Sequence, residues 1–408
     1  MIKRELYLDK IKPYMNKDII KVLTGVRRCG KSTILKQIVG ELKENGVKEE
    51  NIILINLELQ KYFNVKNIRQ LDKLIKSKTS KNNDRKYLLL DEIQDVNQWE
   101  KLVNSYLAED KFDIYITGSN AKLLSGELAT YITGRYIEIK IYPFSFNEFL
   151  EYKQLKNRKI NNRELKNYKD IFYEFLRYGA MPSTLRYERE EKIPILTDIY
   201  QSILFKDVVK RNEIRDLDLL DRILKYIMAN IGQLFSANSI VKYLKKDRIS
   251  ISTTTIYNYL RYLEDARLIN KVRREDLIGK RVLNYIEKFY VVDLGFREAI
   301  YGNNERDISQ AIENIIYNEL IQRGFNVTIG KFRDNEIDFV CKKFDKKVYI
   351  QVSYILFDEN TLKREFGTLS KIKDNYPKYV LSMDEFNRSH DGIKHLNIID
   401  FLKDKIEL

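Results

Sequence analysis

The feature that most constrains this chain is an eight-residue loop near its N-terminus, Gly25–Ser32, which reads Gly-Val-Arg-Arg-Cys-Gly-Lys-Ser. A mostly apolar segment, residues 19–23, precedes the loop, and residues 33–39 follow it with apolar side chains at helical spacing. In a strand–loop–helix of this kind, backbone N–H groups and the helix N-terminus surround phosphate oxygens. The sequence therefore predicts a phosphate-binding loop between a buried strand and a helix.

Two side chains of this loop have defined tasks in nucleotide chemistry. Lys31 is expected to reach the β- and γ-phosphates, and the Ser32 hydroxyl is expected to bind Mg²⁺. The residues predicted to contact the nucleotide are Gly25, Val26, Arg27, Arg28, Cys29, Gly30, Lys31, Ser32 and Thr33. The motif thus indicates a nucleoside triphosphate and Mg²⁺ as the bound groups.

A second motif follows an apolar run at residues 86–90, where Asp91 and Glu92 stand together. Asp91 is expected to hold Mg²⁺, directly or through water, and Glu92 to orient and deprotonate the attacking water. A buried strand that ends in solvated acids is a common alternative. The phosphate-binding loop upstream favours the catalytic interpretation.

A third apolar run, residues 112–118, ends in Ser119 and Asn120. At that position a polar side chain is expected to hydrogen-bond the γ-phosphate or the lytic water. Arg135 is expected to stabilise charge on the transferred phosphoryl group, either in the same chain or across a subunit interface. The alternative for Arg135 is an ordinary surface arginine.

Composition limits the class of protein. A chain of 408 residues predicts two to four domains. Its 73 Lys and Arg against 59 Asp and Glu give a net charge of +14, which indicates either an anionic partner or a general bias toward lysine. Two cysteines, Cys29 and Cys341, are typical of a reducing cytoplasm, and no long uncharged run predicts a signal or a membrane span.

These nucleotide motifs, with Gly134-Arg135 and residues 142–149, resemble those of prokaryotic AAA-type ATPases whose C-terminal half is a domain of unknown function. These proteins are similar to the archaeal ATPase group within the AAA+ and STAND class. The resemblance implies ATP rather than GTP. It also implies that the helical pattern at residues 149–215 is a lid beside the nucleotide.

Residues 219–266 predict three helices, and a basic segment at residues 271–281 between two strands follows them. Helix, helix, recognition helix and wing is the winged-helix order. The third helix is expected to bury one face, Ile256, Tyr259, Leu260 and Leu263, and to leave Thr254, Thr255, Asn258 and Arg261 on the other, with Arg261 contributing to nucleic-acid binding. The residues expected to neutralise DNA phosphates are Lys245, Lys246, Arg248, Arg273, Arg274, Lys280 and Arg281. The alternative is a winged helix that serves packing or protein contact.

The C-terminal segment resembles the restriction-endonuclease-like fold, with a helix at 311–320 and strands at 326–331, 336–341 and 347–353. Glu313 and Asp338 match the acids of that pattern. Gln351 and Ser353 stand where an acid and a lysine are expected, so a nucleic-acid-binding or structural relic is favoured over a nuclease.

The predicted fold class is α/β: a P-loop NTPase parallel sheet with a helical lid, then a winged helix-turn-helix, then a degenerate restriction-endonuclease-like domain. The predicted domains span residues 1–146, 147–215, 216–300 and 301–408. The predicted function is an ATP-hydrolysing, DNA-associated ATPase in the cytoplasm, without a membrane partner and with a homo-oligomer as a candidate assembly. The alternatives are a STAND-like switch that binds protein partners and an ATP-regulated nuclease.

Overall fold

The computed structural model describes residues 2–119, 134–161, 167–246, 249–279, 282–302 and 307–403, without the side chains of residues 157–161 and 282–285. The chain separates into two compact units. The first comprises residues 1–142 with 265–267, and the second comprises residues 143–264 with 268–408.

A five-stranded parallel sheet forms the centre of the first unit. Its strands are β1 (Ile20–Thr24), β2 (Ile52–Asn56), β3 (Lys86–Asp91), β4 (Phe112–Gly118) and β5 (Tyr136–Lys140). The described helices of this unit are α1 (Glu5–Ile11), α2 (Lys31–Glu44), α3 (Ile68–Lys78) and α4 (Trp99–Ala108). Every residue of β1, β3 and β4 is buried, which explains why these strands read as nearly continuous apolar runs. The predicted P-loop NTPase sheet is confirmed.

The strand order, β2-β3-β4-β1-β5, determines which loops meet. Strand β4 lies between β1 and β3, with Thr24 opposite Gly118 and Leu90 opposite Ile116. Because all pairs are parallel, the carboxyl ends of β1, β3 and β4 lie at the same edge of the sheet. This edge carries the phosphate-binding loop and the acids Asp91 and Glu92.

The second unit begins with helices. They are α5 (Phe146–Asn161), α6 (Tyr168–Tyr178), α7 (Arg189–Ile203), α8 (Leu217–Ala229), α9 (Ala237–Lys246) and α10 (Thr253–Asp265). Helix α7 continues through a π-helical turn, Leu204–Val209, and a last α-helical turn, Lys210–Asn212. Helix α10 starts where the Thr255 N–H donates to Ser252 Oγ at 3.1 Å, which satisfies one of the helix's first donors.

Seven strands of the second unit form one mixed sheet. The strands are β6 (Ile269–Asp276), β7 (Val282–Val291), β8 (Asn326–Phe332), β9 (Asn335–Lys343), β10 (Lys346–Val352), β11 (Lys378–Ser382) and β12 (Lys394–Asn397). Their order is β12-β11-β10-β9-β8-β6-β7. The helices among them are α11 (Leu294–Tyr301), α12 (Ile308–Gln322), α13 (Glu359–Ser370) and α14 (Ile398–Lys403).

The predicted winged-helix order is present as α8, α9, α10 and the antiparallel pair β6–β7. Strand β6 also pairs in parallel with β8, with Arg274 opposite Ile329. This pairing satisfies backbone groups that an isolated hairpin would leave open at its edge. Strands on either side of residue 300 therefore share one sheet, and the division into four domains stays a prediction.

The restriction-endonuclease-like assignment also stays a prediction, although its helix and three strands are present as α12, β8, β9 and β10. Within the described parts of the chain, every helix is too short or too polar to cross a membrane.

Candidate functional site

The backbone geometry of the predicted phosphate-binding loop explains why residues 25 and 30 are both glycine. Gly30 directly precedes Lys31, the first residue of α2, and adopts φ +104°, a backbone conformation that residues with a side chain rarely adopt. A Cβ atom at Gly25 would lie 2.3 Å from the Ile141 carbonyl oxygen. Both positions therefore require glycine for the loop to pack and turn as it does.

The side chain of Lys31 is buried and turned toward the loop. Its Nζ donates to the carbonyls of Gly25 at 3.1 Å and Val26 at 3.3 Å, and lies 3.3 Å from Glu92 Oε1. Burial acts to lower the pKa of Lys31, but the Glu92 carboxylate outweighs it and the pKa is raised. The ammonium therefore stays charged, as an interaction with phosphate requires.

Asp91 ends β3 with both carboxylate oxygens engaged. Thr117 Oγ1 donates to Oδ1 at 2.6 Å, and Asn56 Nδ2 donates to Oδ2 at 2.9 Å. Burial raises the pKa of Asp91, and the bond from Thr117 and the nearby Ser32 side chain oppose that rise. Adjacent carboxylate and hydroxyl oxygens are ligands that Mg²⁺ prefers, so Ser32 and Asp91 fit the predicted metal.

Glu92 follows in the left-handed conformation, with φ +56°. Its N–H donates to Thr117 Oγ1 at 2.9 Å, and Gln94 Nε2 donates to its Oε2 at 2.6 Å. Burial acts to raise the pKa of Glu92, yet Lys31 and then Gln94 outweigh it and lower the pKa. The carboxyl is therefore ionised at neutral pH, as a general base must be.

The other residues predicted to contact the nucleotide lie in the loop or directly after it, and they differ in how far their side chains are exposed. Val26 and Cys29 are fully buried, so they can offer a ligand only backbone groups; burial also raises the pKa of the Cys29 thiol. Arg28 is exposed, and Arg27 Nη1 donates to Glu58 at 3.2 Å. Thr33, in the first turn of α2, is half-buried.

Ser119 is buried just beyond the carboxyl end of β4, while Asn120 lies outside the described residues. Arg135 corrects the expectation of a role within its own chain. It precedes β5, its carbonyl accepts from the Ile20 N–H, and its Nη1 donates to Asn104 at 3.0 Å. Ile20 begins β1, so Arg135 lies at the sheet edge opposite the phosphate-binding loop. A role across a subunit interface stays a prediction, and the alternative of an ordinary surface arginine stays open beside it.

Sequence reasoning missed two residues of this site, Thr117 and Arg4. Thr117 joins Asp91 and Glu92 through one hydroxyl, and its polar side chain at the end of an apolar strand was an available signal. Arg4 is buried and donates to the carbonyl of Cys29 at 3.2 Å. No signal in the sequence singled out Arg4 from the other cations of the N-terminal segment.

A second cluster of polar groups lies in the second unit, between α12, β7 and β9. Lys288 Nζ donates to Glu313 Oε1 at 2.8 Å and lies 2.7 Å from Glu336 Oε1. The Tyr290 hydroxyl donates to the same Glu313 oxygen at 2.5 Å. Asp338 Oδ2 accepts from the Val352 N–H at 2.8 Å. Lys288, Tyr290 and Glu336 were not predicted.

This cluster does not fit the divalent metal that the restriction-endonuclease-like resemblance implies. The ammonium of Lys288 and the hydroxyl of Tyr290 both bind Oε1 of Glu313, so a cation already sits at the carboxylate that would have to bind a metal. Gln351 Oε1 accepts from the Asp338 N–H at 3.3 Å, and Ser353 Oγ donates to the Ile355 carbonyl at 3.3 Å. Across the described ranges, no group of three or more His, Cys, Asp or Glu is arranged to hold a metal ion.

The predicted recognition helix, α10, has one buried and one exposed face. Ile256, Tyr259, Leu260 and Leu263 are buried. The exposed positions are Thr254, Tyr257 and Arg261, at helical spacing, while Thr255 and Asn258, also predicted for this face, are half-buried. Of the predicted phosphate-binding cations, Lys245, Lys246 and Arg273 are exposed, Arg274 is partly buried, and Arg248, Lys280 and Arg281 lie outside the described residues.

Comparison with known proteins gives the family. Residues 17–150 match the model described as an AAA domain, and residues 169–307 match a domain of unknown function (DUF8612). An uncharacterized protein of Haemophilus influenzae is 38% identical over 405 residues, 98% of each chain. The chain belongs to this family of AAA-type ATPases.

Another relative of this AAA-type ATPase is an uncharacterized protein of Methanocaldococcus jannaschii, 35% identical over 87% of this chain and 79% of that protein. Among solved structures, Cdc6p of Pyrobaculum aerophilum covers 78% of this chain and 96% of that chain, with 12% identity and a TM-score of 0.31. A TM-score at this level supports no conclusion about function.

Proposed function

We propose that this AAA-type ATPase binds ATP with Mg²⁺ at Gly25–Ser32 and hydrolyses it. The observation that supports the proposal is the meeting of Lys31, Ser32, Asp91 and Glu92 at one edge of a parallel sheet. The loop N–H groups and Lys31 would bind the phosphates. Ser32 and Asp91 would hold Mg²⁺, whose charge offsets the negative charge of the phosphate oxygens.

Glu92 is the proposed general base. Its lowered pKa supports an ionised carboxylate, and the bonds from Gln94 and to Thr117 orient it. The Lys31 ammonium is expected to turn from the loop carbonyls to the phosphates when ATP binds. Glu92 Oε1 then becomes available to accept a proton from the attacking water.

Two substitutions separate binding from hydrolysis. Lys31→Ala leaves phosphate charge uncompensated, so we expect it to abolish nucleotide binding or turnover. Glu92→Gln keeps the size and shape of the side chain but removes the carboxylate that acts as the base. We therefore expect an ATP affinity near that of the wild type and a kcat lower by about 100-fold or more. Calorimetric ATP binding and steady-state phosphate release measure both. Wild-type turnover in purified Lys31→Ala would contradict the site assignment.

We infer that the partner of the second unit is duplex DNA. The exposed face of α10, with Thr254, Tyr257 and Arg261, supports this, because such a face opposite a buried one suits the major groove. Exposed Lys245, Lys246 and Arg273 supply positive charge close to α10 in sequence. The cytoplasmic location and the homo-oligomer stay predictions.

A further inference from the structure

Arg4 is a buried arginine that contacts the phosphate-binding loop from the N-terminal segment. The residue is 1% exposed. Its Nη1 donates to the carbonyl of Cys29 at 3.2 Å and to the carbonyl of Tyr142 at 2.9 Å. Cys29 belongs to the loop, and Tyr142 follows β5, the strand beside β1. One guanidinium nitrogen therefore bridges the loop and the chain beyond the neighbouring strand.

The position of Arg4 is held from several sides. Its backbone N–H donates to Gln37 Oε1 at 3.0 Å, and Gln37 Nε2 donates to the Ile2 carbonyl at 2.7 Å. The guanidinium carbon lies 4.5 Å from the centre of the Tyr7 ring, within the range of a cation–π contact. The Tyr7 hydroxyl accepts from the Tyr142 N–H at 3.1 Å. The N-terminal segment is thus anchored on α2 and on Tyr142.

The bond to Cys29 determines the direction of the next amide. A trans peptide points its C=O and its N–H to opposite sides, and the described chain contains no cis peptide. With the Cys29 carbonyl directed at Arg4, the Gly30 N–H points away from Arg4. Gly30 has no side chain to resist rotation of this peptide. If the Cys29–Gly30 peptide rotated, the Cys29 carbonyl oxygen, the negative end of the C=O dipole, would face the side that the Gly30 N–H faces now.

We propose that Arg4 is a positioning residue of the nucleotide site, which keeps the Gly30 N–H directed at the phosphates by holding the Cys29 carbonyl. The inference rests on the proposed binding of ATP in this loop. Arginine suits the task because one nitrogen carries two N–H groups, one for each carbonyl. A lysine at this position keeps the charge but has no planar fork to fix both bonds.

The test compares Arg4→Met, Arg4→Lys and Tyr7→Phe with the wild type. Tyr7→Phe is the matched control, since it removes the neighbouring bond to Tyr142 and leaves the bond to Cys29 intact. We expect Arg4→Met to raise the Kd for ATP about tenfold, the effect of one hydrogen bond of ordinary strength, and Arg4→Lys to raise it less. KM should rise with Kd while kcat changes less, because Lys31 and Glu92 are untouched.

A second readout needs no nucleotide. Hydrogen exchange of the peptide covering residues 25–32 should be faster in Arg4→Lys than in Tyr7→Phe at equal thermal stability. Equal effects of Arg4→Lys and Tyr7→Phe on affinity and exchange would overturn the inference in favour of simple anchoring. Unchanged affinity and exchange in both Arg4 variants would also overturn it. Wild-type protein that binds no ATP, with loop exchange still dependent on Arg4, would overturn the proposed function instead.

Discussion

Thr117 connects the two acids of the nucleotide site through one hydroxyl. A hydroxyl offers one donor and two acceptor positions. The Thr117 hydroxyl donates to Asp91 Oδ1 at 2.6 Å and accepts from the Glu92 N–H at 2.9 Å. The proposed metal ligand and the proposed base are therefore oriented by the same buried atom. Such shared partners make the geometry of a site sensitive to one side chain.

Thr117→Val removes that hydroxyl at nearly constant volume. We expect kcat to fall about tenfold or more, because Asp91 and the Glu92 amide each lose a buried partner, a loss of about 1–3 kcal/mol for each group. Thr117→Ser, which keeps the hydroxyl, should retain most of the activity. Phosphate release and ATP affinity measure the effect. Equal rates for the valine and serine variants would exclude a positioning role for Thr117.

At the scale of elements, the place of β4 and the faces of α10 matter most. Strand β4 brings Thr117 to Asp91 because it lies between the loop-bearing β1 and the acid-bearing β3. Helix α10 places Ile256, Leu260 and Leu263 in the core, and this spacing leaves Thr254, Tyr257 and Arg261 exposed. One helix face therefore serves stability, and the opposite face is available to a partner.

Arg261→Ala combined with Arg273→Ala tests the DNA proposal. Both side chains are exposed, so we expect folding to be unaffected and duplex binding to weaken across all sequences. The slope of log affinity against log salt should flatten by about one unit for each lost phosphate contact. Lys76→Ala, an exposed cation on α3 in the first unit, is the control. A wild type without duplex binding at low salt would favour the switch that binds protein partners.

At the scale of the whole molecule, the second unit joins its wing strands and C-terminal strands through a buried ionic cluster. Lys288 on β7 binds Glu313 on α12 and contacts Glu336 on β9. Burial lowers the pKa of Lys288, but Glu313, Asp338 and Glu336 outweigh it and raise the pKa, so the lysine stays cationic. The buried ammonium of Lys288 thus lies close to Glu313 and Asp338, the two acids that match the nuclease pattern.

We therefore expect no metal-dependent DNA cleavage. Supercoiled plasmid incubated with Mg²⁺ or Mn²⁺, with and without ATP, should remain supercoiled, because Lys288 and Tyr290 already bind Glu313. Asp338→Ala serves as the paired sample, since it removes one of the two acids that match the nuclease pattern. Nicking by the wild type that disappears in Asp338→Ala would contradict the expectation and indicate an ATP-regulated nuclease.

Residues 20–35 and 86–92 were informative because each motif is contiguous: strand, loop and helix, or strand and acids, follow one another along the chain. Strands of a parallel sheet are buried on both faces, so β1 and β3 are nearly continuous apolar runs, and the helical spacing of α10 predicted its buried face. The nucleotide-binding sheet followed from these local patterns, whereas the restriction-endonuclease-like part of the fold class rested on a resemblance and stays a prediction. The family resemblance rested on these two motifs together with residues 117–120, 134–135 and 142–149.

Contacts between distant residues needed the tertiary structure. Arg4 reaches Cys29 and Tyr142, which are 25 and 138 positions away, and Lys288 reaches Glu313, which is 25 positions away. For Arg135, the tertiary structure separates residues that the sequence had grouped together. The parallel pairing of β5 with β1 puts Arg135 at the edge of the sheet opposite the phosphate-binding loop. Periodicity describes which face of an element is buried, whereas the partner of a buried charge depends on how separate elements pack.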